Sequence, residues 1–201
     1  MPTLLVDLIT SLDGYASAQG WPGWWGLEGP QYLAWLEADQ PEGGHVTLMG
    51  ATTYRVMSQM STDAAAHGGG DFRPEEADSL TGLDAVPKVV FSSTLAEPLA
   101  WPNTRLVTGD AVEAVRAMKR DGDLPLRTLG SPTLARSLLL AGLVDRFRLV
   151  VFPVITGATG DARVYDGYPD VALELLEART FDGRSQLLDY GPRVLDGPPL
   201  A

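Results

Sequence analysis

The feature that most constrains this chain is a repeated order: an apolar run, a small polar corner, then a helical pattern. "LMGATTYRVM", Leu48 to Met57, shows the unit, with a glycine and two threonines between strand and helix. Thr3 to Thr10 is a mostly apolar run that reads as a strand buried on both faces and ends at the turn signal Asp13-Gly14. Further strands are expected at His45 to Met49, Lys88 to Ser92, Thr104 to Val107, Leu126 to Leu129 and through "VDRFRLVVFPVI". Helical patterns fill "PQYLAWLEA", Thr52 to Gln59, Ala111 to Lys119 and Pro132 to Ala141. The chain closes with "LELLEARTFDGRSQLLDYG", two strands around Asp182-Gly183, a hairpin signal. Strands alternating with helices, then a hairpin, predict one α/β domain over residues 1–201 with a mostly parallel sheet and an antiparallel edge.

Charge and composition remove several classes of function. The net charge is -11 and the pI about 4.5, against the clustered Lys and Arg that nucleic-acid or anionic-membrane binding needs. With no Cys there is no disulfide, thiolate nucleophile or thiolate metal site, and His45 and His67 alone cannot build a histidine-rich metal centre. No metal is expected. The start "MPTLLVDLIT" lacks a basic segment, and no apolar run approaches the ~20 residues that cross a bilayer, so a soluble cytoplasmic protein is expected. Residues 58–85 are small, polar and acidic, and read as a flexible loop or surface flap.

Three strand ends carry small polar residues. In "TLGSPTLARSLLL", Gly130 allows a tight turn, Ser131 is a natural N-cap and Pro132 suits the first helical position. Such a helix start presents free N–H groups where α/β sheets bind ligands, although a capped helix explains the pattern equally well. Gly50, Thr52 and Thr53 form the second corner, and Ser92, Ser93 and Thr94 the third. Each can hold phosphate or ribose, or merely shape a turn. None matches G-x-G-x-x-G or a P-loop. A Gly-rich loop with Trp21, Trp24 and Trp25 can cover a planar ligand or fold on itself, and Asp13, Glu28 and Tyr32 are its acid–base groups.

In order and spacing, "SLDGY", "MGATTY", "VVFSST" and "LGSPTLARSLLLAGLVDRFRLVVFPVITG" resemble the dihydrofolate reductase superfamily over nearly the whole chain. The likeness is strongest to the branch of the reductase domain of bifunctional riboflavin-biosynthesis enzymes. It implies a three-layer α/β/α fold with a central mixed sheet and a reduced nicotinamide dinucleotide across the strand ends. Carried over, Gly50, Thr52 and Thr53 would hold phosphates and Ser92, Ser93 and Thr94 would sit near the adenosine ribose. Gly130, Ser131, Thr133 and Leu134 would wrap the pyrophosphate, and Ile9 to Asp13 would line the nicotinamide end. The branch also implies a homodimer.

Three departures refine these expectations. Where folate reductases place an acidic residue in "P-x-D/E-L/F", "PQYLAW" has Tyr32, which cannot make a carboxylate's two-pronged contact to a pterin, so folate is not the expected substrate. The family turn G-R-x-T reads G-A-T-T, and Ala51 cannot pair with an adenosine 2′-phosphate. Losing that contact costs roughly 1.5–3 kcal/mol, so NADPH is expected with NADH left open; Arg55 and Arg73 are the nearest basic substitutes. The fused deaminase's Cys and His ligands are missing. The sequence thus points to a stand-alone NAD(P)H-dependent reductase delivering hydride to a C=O or C=N bond of a small planar or sugar-derived substrate. Asp13 or Tyr32 would be its catalytic proton source or anchor, beneath a substrate loop of Trp21, Trp24 and Trp25. A non-catalytic nucleotide- or flavin-binding module is one alternative. A 5-amino-6-(5-phosphoribosylamino)uracil reductase is another, for which basic residues around the Trp loop are missing.

Overall fold

A computed structural model describes residues 1–21, 25–66 and 72–197. The elements follow the expected alternation. β1 (Leu4–Ser11) and β2 (Tyr15–Ala18) precede α1 (Pro30–Ala38), β3 (Val46–Gly50), α2 (Ala51–Ala66) and α3 (Pro74–Gly82). Then come β4 (Lys88–Phe91), β5 (Thr104–Val107), α4 (Ala111–Asp121), β6 (Leu126–Thr128) and α5 (Pro132–Leu140). β7 (Arg146–Phe152), β8 (Gly160–Arg163), β9 (Val171–Phe181) and β10 (Ser185–Val194) close the chain.

Eight strands form one sheet in the order β5-β4-β3-β6-β1-β7-β10-β9, and β2 pairs with β8 separately. From β5 to β7 every pairing is parallel, whereas β10 runs antiparallel to both β7 and β9. The layers follow from the strands' alternating side chains. Leu4, Val6 and Leu8 are buried against Val115 of α4 and Leu134, Ala135 and Leu138 of α5. The opposite face packs on α1 through Tyr32 and Leu33, which meet Val150 and Phe152, and on α2 through Tyr54, which meets Met49 and Val90. This is the expected three-layer fold with an antiparallel edge.

Two local expectations change. The sequence reads β1 as buried on both faces, but Leu5, Asp7 and Ile9 are only partly buried, because their face opens onto a groove. The segment 58–85 reads as a loop, yet α2 continues to Ala66, α3 spans Pro74–Gly82 and a 3₁₀ turn covers Leu83–Ala85. Burial of Ser61, Ala64, Glu76 and Leu80 supplies the packing that polar composition conceals.

The hairpin turn also holds α1. Asp182 and Gly183 have φ of +52° and +67°, the left-handed pair that a tight antiparallel turn requires. The Asp182 carboxylate accepts from Gln31 N (3.0 Å) and Tyr32 N (3.2 Å), capping α1 from 150 residues away. A Cβ on Gly29 would lie 2.2 Å from Asp182 Cγ, so glycine is required there. Among the described residues no helix is long and apolar enough to cross a membrane.

Candidate active site

A cavity of about 1850 Å³ crosses the strand ends and runs under α1, α2 and α3. It far exceeds the roughly 300–1,000 Å³ of a single small-ligand pocket, so it has room for a long ligand beside a small one. One polar corner of it joins two of the strand ends singled out from sequence. Ser131 Oγ accepts from Gly50 N at 2.9 Å and lies 2.8 Å from Thr53 Oγ1.

Ser131 occupies the N-cap position of α5, as expected, but its hydroxyl does not cap the helix. Consecutive positive φ angles at Gly130 (+54°) and Ser131 (+62°) turn it toward Gly50 instead. Holding a serine in that region costs on the order of 1 kcal/mol or more, and the bridge to α2 offsets it. Pro132 has no N–H, so the first-turn donors of α5 are Thr133 and Leu134, and no side chain caps them. The N-termini of α2 and α5 thus converge on one corner, each with partial positive charge and neighbouring hydroxyls.

Gly50, Thr52, Thr53, Gly130, Ser131, Thr133, Leu134 and Ile9 all line this cavity, as does Tyr32. Ser92, Ser93 and Thr94 are not among its lining residues, although Phe91, which precedes them at the end of β4, is. There Ser92 Oγ accepts from Thr94 N and Leu95 N, both at 3.1 Å. Trp21 lines the groove, half exposed, whereas Trp25 is buried beside Tyr32 and Leu33. Trp24 falls outside the described residues.

The acid–base candidates Asp13, Tyr32 and Glu28 sit very differently. Asp13 is not part of the cavity wall: its carboxylate accepts from Thr156 N (3.2 Å) and Gly157 N (2.9 Å), tying the β1–β2 turn to the segment after β7. Hydrogen bonds from Ser11 and Gly157 hold its pKa at about 2, so it is ionised and cannot release a proton near neutrality. Tyr32 is 1% exposed, wedged edge-on against Phe152 and Phe181. Burial, reinforced by the charges of Asp7 and Glu28, pushes its phenol well above the usual range. It is therefore protonated at neutral pH, on a residue that lines the groove. Glu28 is buried too; its Oε1 accepts from Trp25 N at 2.8 Å, and burial raises its carboxyl.

The inner end of the groove has a floor that the sequence reading missed. Asp7 of β1 meets Arg127 of β6 and Arg148 of β7, both at 2.7 Å, and the two guanidiniums also reach Asp39 at 3.0 and 2.8 Å. Burial would raise Asp7, but Arg127 and Arg148 outweigh it and hold it at about 2. Arg148 also stacks over Trp35 at 4.8 Å. Two carboxylates balance two guanidiniums, so the cluster carries no net charge. His45 beside it, 3.2 Å from Thr47 Oγ1, is pushed down to about 4 by burial and by Arg127, and is uncharged at neutral pH. A signal existed: "LVDLIT", "LRTLG" and "RFRLV" each place charge inside an apolar strand, where an unpaired charge would be prohibitive. No group of metal-binding side chains occurs among the described residues.

The fold recurs among solved structures. A Shewanella sp. PV-4 protein assigned to riboflavin biosynthesis is 19% identical with a TM-score of 0.65, over 95% of this chain and 99% of that one. A pyrimidine reductase-like protein of Corynebacterium diphtheriae is 15% identical with a TM-score of 0.59, over 96% and 92%. A Thermotoga maritima diaminohydroxyphosphoribosylaminopyrimidine deaminase/5-amino-6-(5-phosphoribosylamino)uracil reductase gives 16% and 0.59, this chain matching 96% of its own length and 57% of that longer one. At these identities the likeness is one of fold, and no curated protein matches in sequence. The RibD C-terminal domain, however, matches residues 2–187, and the chain therefore belongs to the RibD C-terminal domain family.

Proposed function

We propose that this chain is an NADPH-dependent reductase of a small, planar, unphosphorylated substrate, working in the cytoplasm as a homodimer. The observation that carries the reading is the corner where Ser131 joins the N-termini of α2 and α5 in the same groove that Tyr32 lines. The residues fit a dinucleotide. Gly50 and Gly130 leave the corner open, Thr133 and Leu134 present uncapped N–H groups, and hydroxyls of Thr52, Thr53 and Thr133 surround it. When bound, the cofactor supplies hydride. The chain's own part is to hold the diphosphate at this corner, exclude water with the apolar walls, and orient a polar group of the substrate at the Tyr32 hydroxyl.

The electrostatics of the groove support an unphosphorylated substrate. The two arginines in its wall, Arg73 and Arg127, are committed to Glu76 and to Asp7 and Asp39. Carboxylates of Glu37, Glu75, Asp78 and Asp161 line it as well. A second phosphate deep in this groove would lack a cation, which disfavours a phosphoribosyl substrate. Tyr32 at the position where folate reductases carry an acidic residue disfavours folate. Exposed Leu173, Leu175 and Leu176 on the edge strand β9 support self-association.

Calorimetric titration with NADPH and NADH tests the cofactor site, and binding of neither at millimolar concentration sinks the reading. Cofactor oxidation with a panel of ketones and cyclic imines then tests the chemistry. A second reading, a binding module without turnover, is favoured by the ionised Asp13 and the firmly protonated Tyr32. Binding without oxidation across the panel would select it.

A further inference from the structure

Part of the groove lining is not needed to hold a diphosphate. Leu36 of α1, Val56 and Met60 of α2, Leu80 of α3 and Leu83 of the 3₁₀ turn after it all line the cavity. α3 packs on both α1 and α2, so an apolar body has helix walls to rest on.

The uncompensated charge on the lining has one sign. Glu37 of α1, Glu75 and Asp78 of α3 and Asp161 of β8 line the cavity, and none forms an ion pair among the described residues. Arg73 is committed to Glu76, and Arg127 to Asp7 and Asp39. Apolar walls focus the field of the carboxylates, so a cation is the charge that the groove attracts. Tyr32 points to a ligand independently. It is 1% exposed, lines the cavity, and its hydroxyl has no hydrogen-bond partner among the described residues. Leaving a buried hydroxyl unpaired costs stability, and an atom of a bound ligand removes that cost.

Reduction of a neutral C=O or C=N bond needs a proton as well as hydride, and the groups at hand are poor sources. Asp13 is held ionised at about 2 and does not line the cavity. Tyr32 is raised well above the usual phenol range, and His45, at about 4, is uncharged at neutral pH. The carboxyl of Glu28 is raised by burial, but Glu28 is not a lining residue. A C=N bond that already carries positive charge needs no proton at all.

We propose that the substrate is an organic cation: an iminium with an apolar body, drawn in by Glu37, Glu75, Asp78 and Asp161 and resting against α1, α2 and α3. The proposal rests on the reductase reading, in which a reduced nicotinamide dinucleotide is the hydride donor and is oxidised. Hydride addition forms a C–H bond at the iminium carbon, and the C=N π pair becomes the nitrogen lone pair. Atoms and charge then balance with nothing taken from the chain.

The test is calorimetric titration, with NADPH present, of the N-methyl dihydroisoquinolinium cation and of its neutral ketone counterpart, α-tetralone. The cation should bind roughly ten-fold or more tightly, and added salt should narrow the difference. A Glu37→Gln, Glu75→Gln, Asp78→Asn triple variant should cut the preference to about three-fold or less. NADPH oxidation with the iminium should hold steady as pH rises through neutrality, whereas with dihydroisoquinoline, which must first be protonated, it should slow. Equal or tighter binding of the ketone, a preference that the triple variant keeps in full, or an iminium that does not oxidise NADPH would overturn the assignment. Each of these leaves the cofactor site standing. A wild type that binds neither NADPH nor NADH would remove the reductase reading and this proposal together.

Discussion

Asp7 and His45 show how single side chains set the inner end of the groove. Asp7 is paired with two guanidiniums that are themselves nearly buried, so Asp7→Asn leaves both without their main partner. The expected cost is about 3–5 kcal/mol, read as a lower urea midpoint at neutral pH. His45 governs a different condition. Its folded pKa of about 4 lies below the ordinary 6.5, so its contribution to stability is full above pH 6.5 and is lost as pH falls toward 4. The loss should total on the order of 3 kcal/mol. Wild type and His45→Gln should therefore diverge between pH 6.5 and 4 in denaturant melts, with the variant's curve flatter there. A parallel decline in both proteins would show that His45 is not the group responsible. The Asp7 carboxylate acts in a lower window, below 3.8 and down through about 2. Asp7 was visible in the sequence as a charge inside an apolar strand, but its partners were not. Arg127 and Arg148 lie 120 and 141 positions from Asp7, and only the β6-β1-β7 register puts the three on one face.

Among the elements, α1 is the one whose placement matters most for chemistry, because it carries Tyr32 into the groove. Its cap comes from the hairpin turn between β9 and β10 rather than from its own sequence. Asp182→Ala should cost about 0.5–2 kcal/mol, as loss of a helix cap does, with a fall in thermal midpoint. Gly29→Ala should cost at least as much, because its Cβ would displace the Asp182 carboxylate from both N–H groups. If Gly29→Ala melts with wild type, the capping contact does not hold α1. The sequence did reveal Asp182-Gly183 as a turn, since left-handed φ favours Asp and Gly locally. It could not reveal the second task of Asp182, which depends on where a distant helix begins. The same limit explains residues 58–85. Polar, Ala-rich composition gives little local signal, and the helices there are held by tertiary contacts such as Ser61 Oγ to Asp84 Oδ1 at 2.8 Å.

At the scale of the whole molecule, one sheet carries both the site and an open edge. β9 is exposed along most of its length, and Leu175 and Leu176 are each more than half exposed. Paired with a second copy, that edge would lose its unpaired backbone groups and its apolar side chains to the interface. Light scattering should therefore report a dimer, and a Leu175→Lys, Leu176→Asp double variant should report a monomer that keeps its fold. A monomeric wild type would contradict the homodimer.

The sequence by itself determined the alternation of strands and helices, the closing hairpin, the family, and the small polar corners at Gly50 and Gly130. These rest on local rules: side-chain periodicity, the φ freedom of glycine, and the capping preference of serine and threonine. Tertiary structure decided what those corners and charges do. It turned Ser131 from capping its own helix to bridging two, and it drew Asp13 out of the groove into a loop anchor. It also closed Asp7, Arg127, Arg148 and Asp39 into a neutral floor and set Arg55 against Thr94. Each outcome depends on distances between residues far apart in the chain, and those distances exist only once the sheet has brought its strands into register.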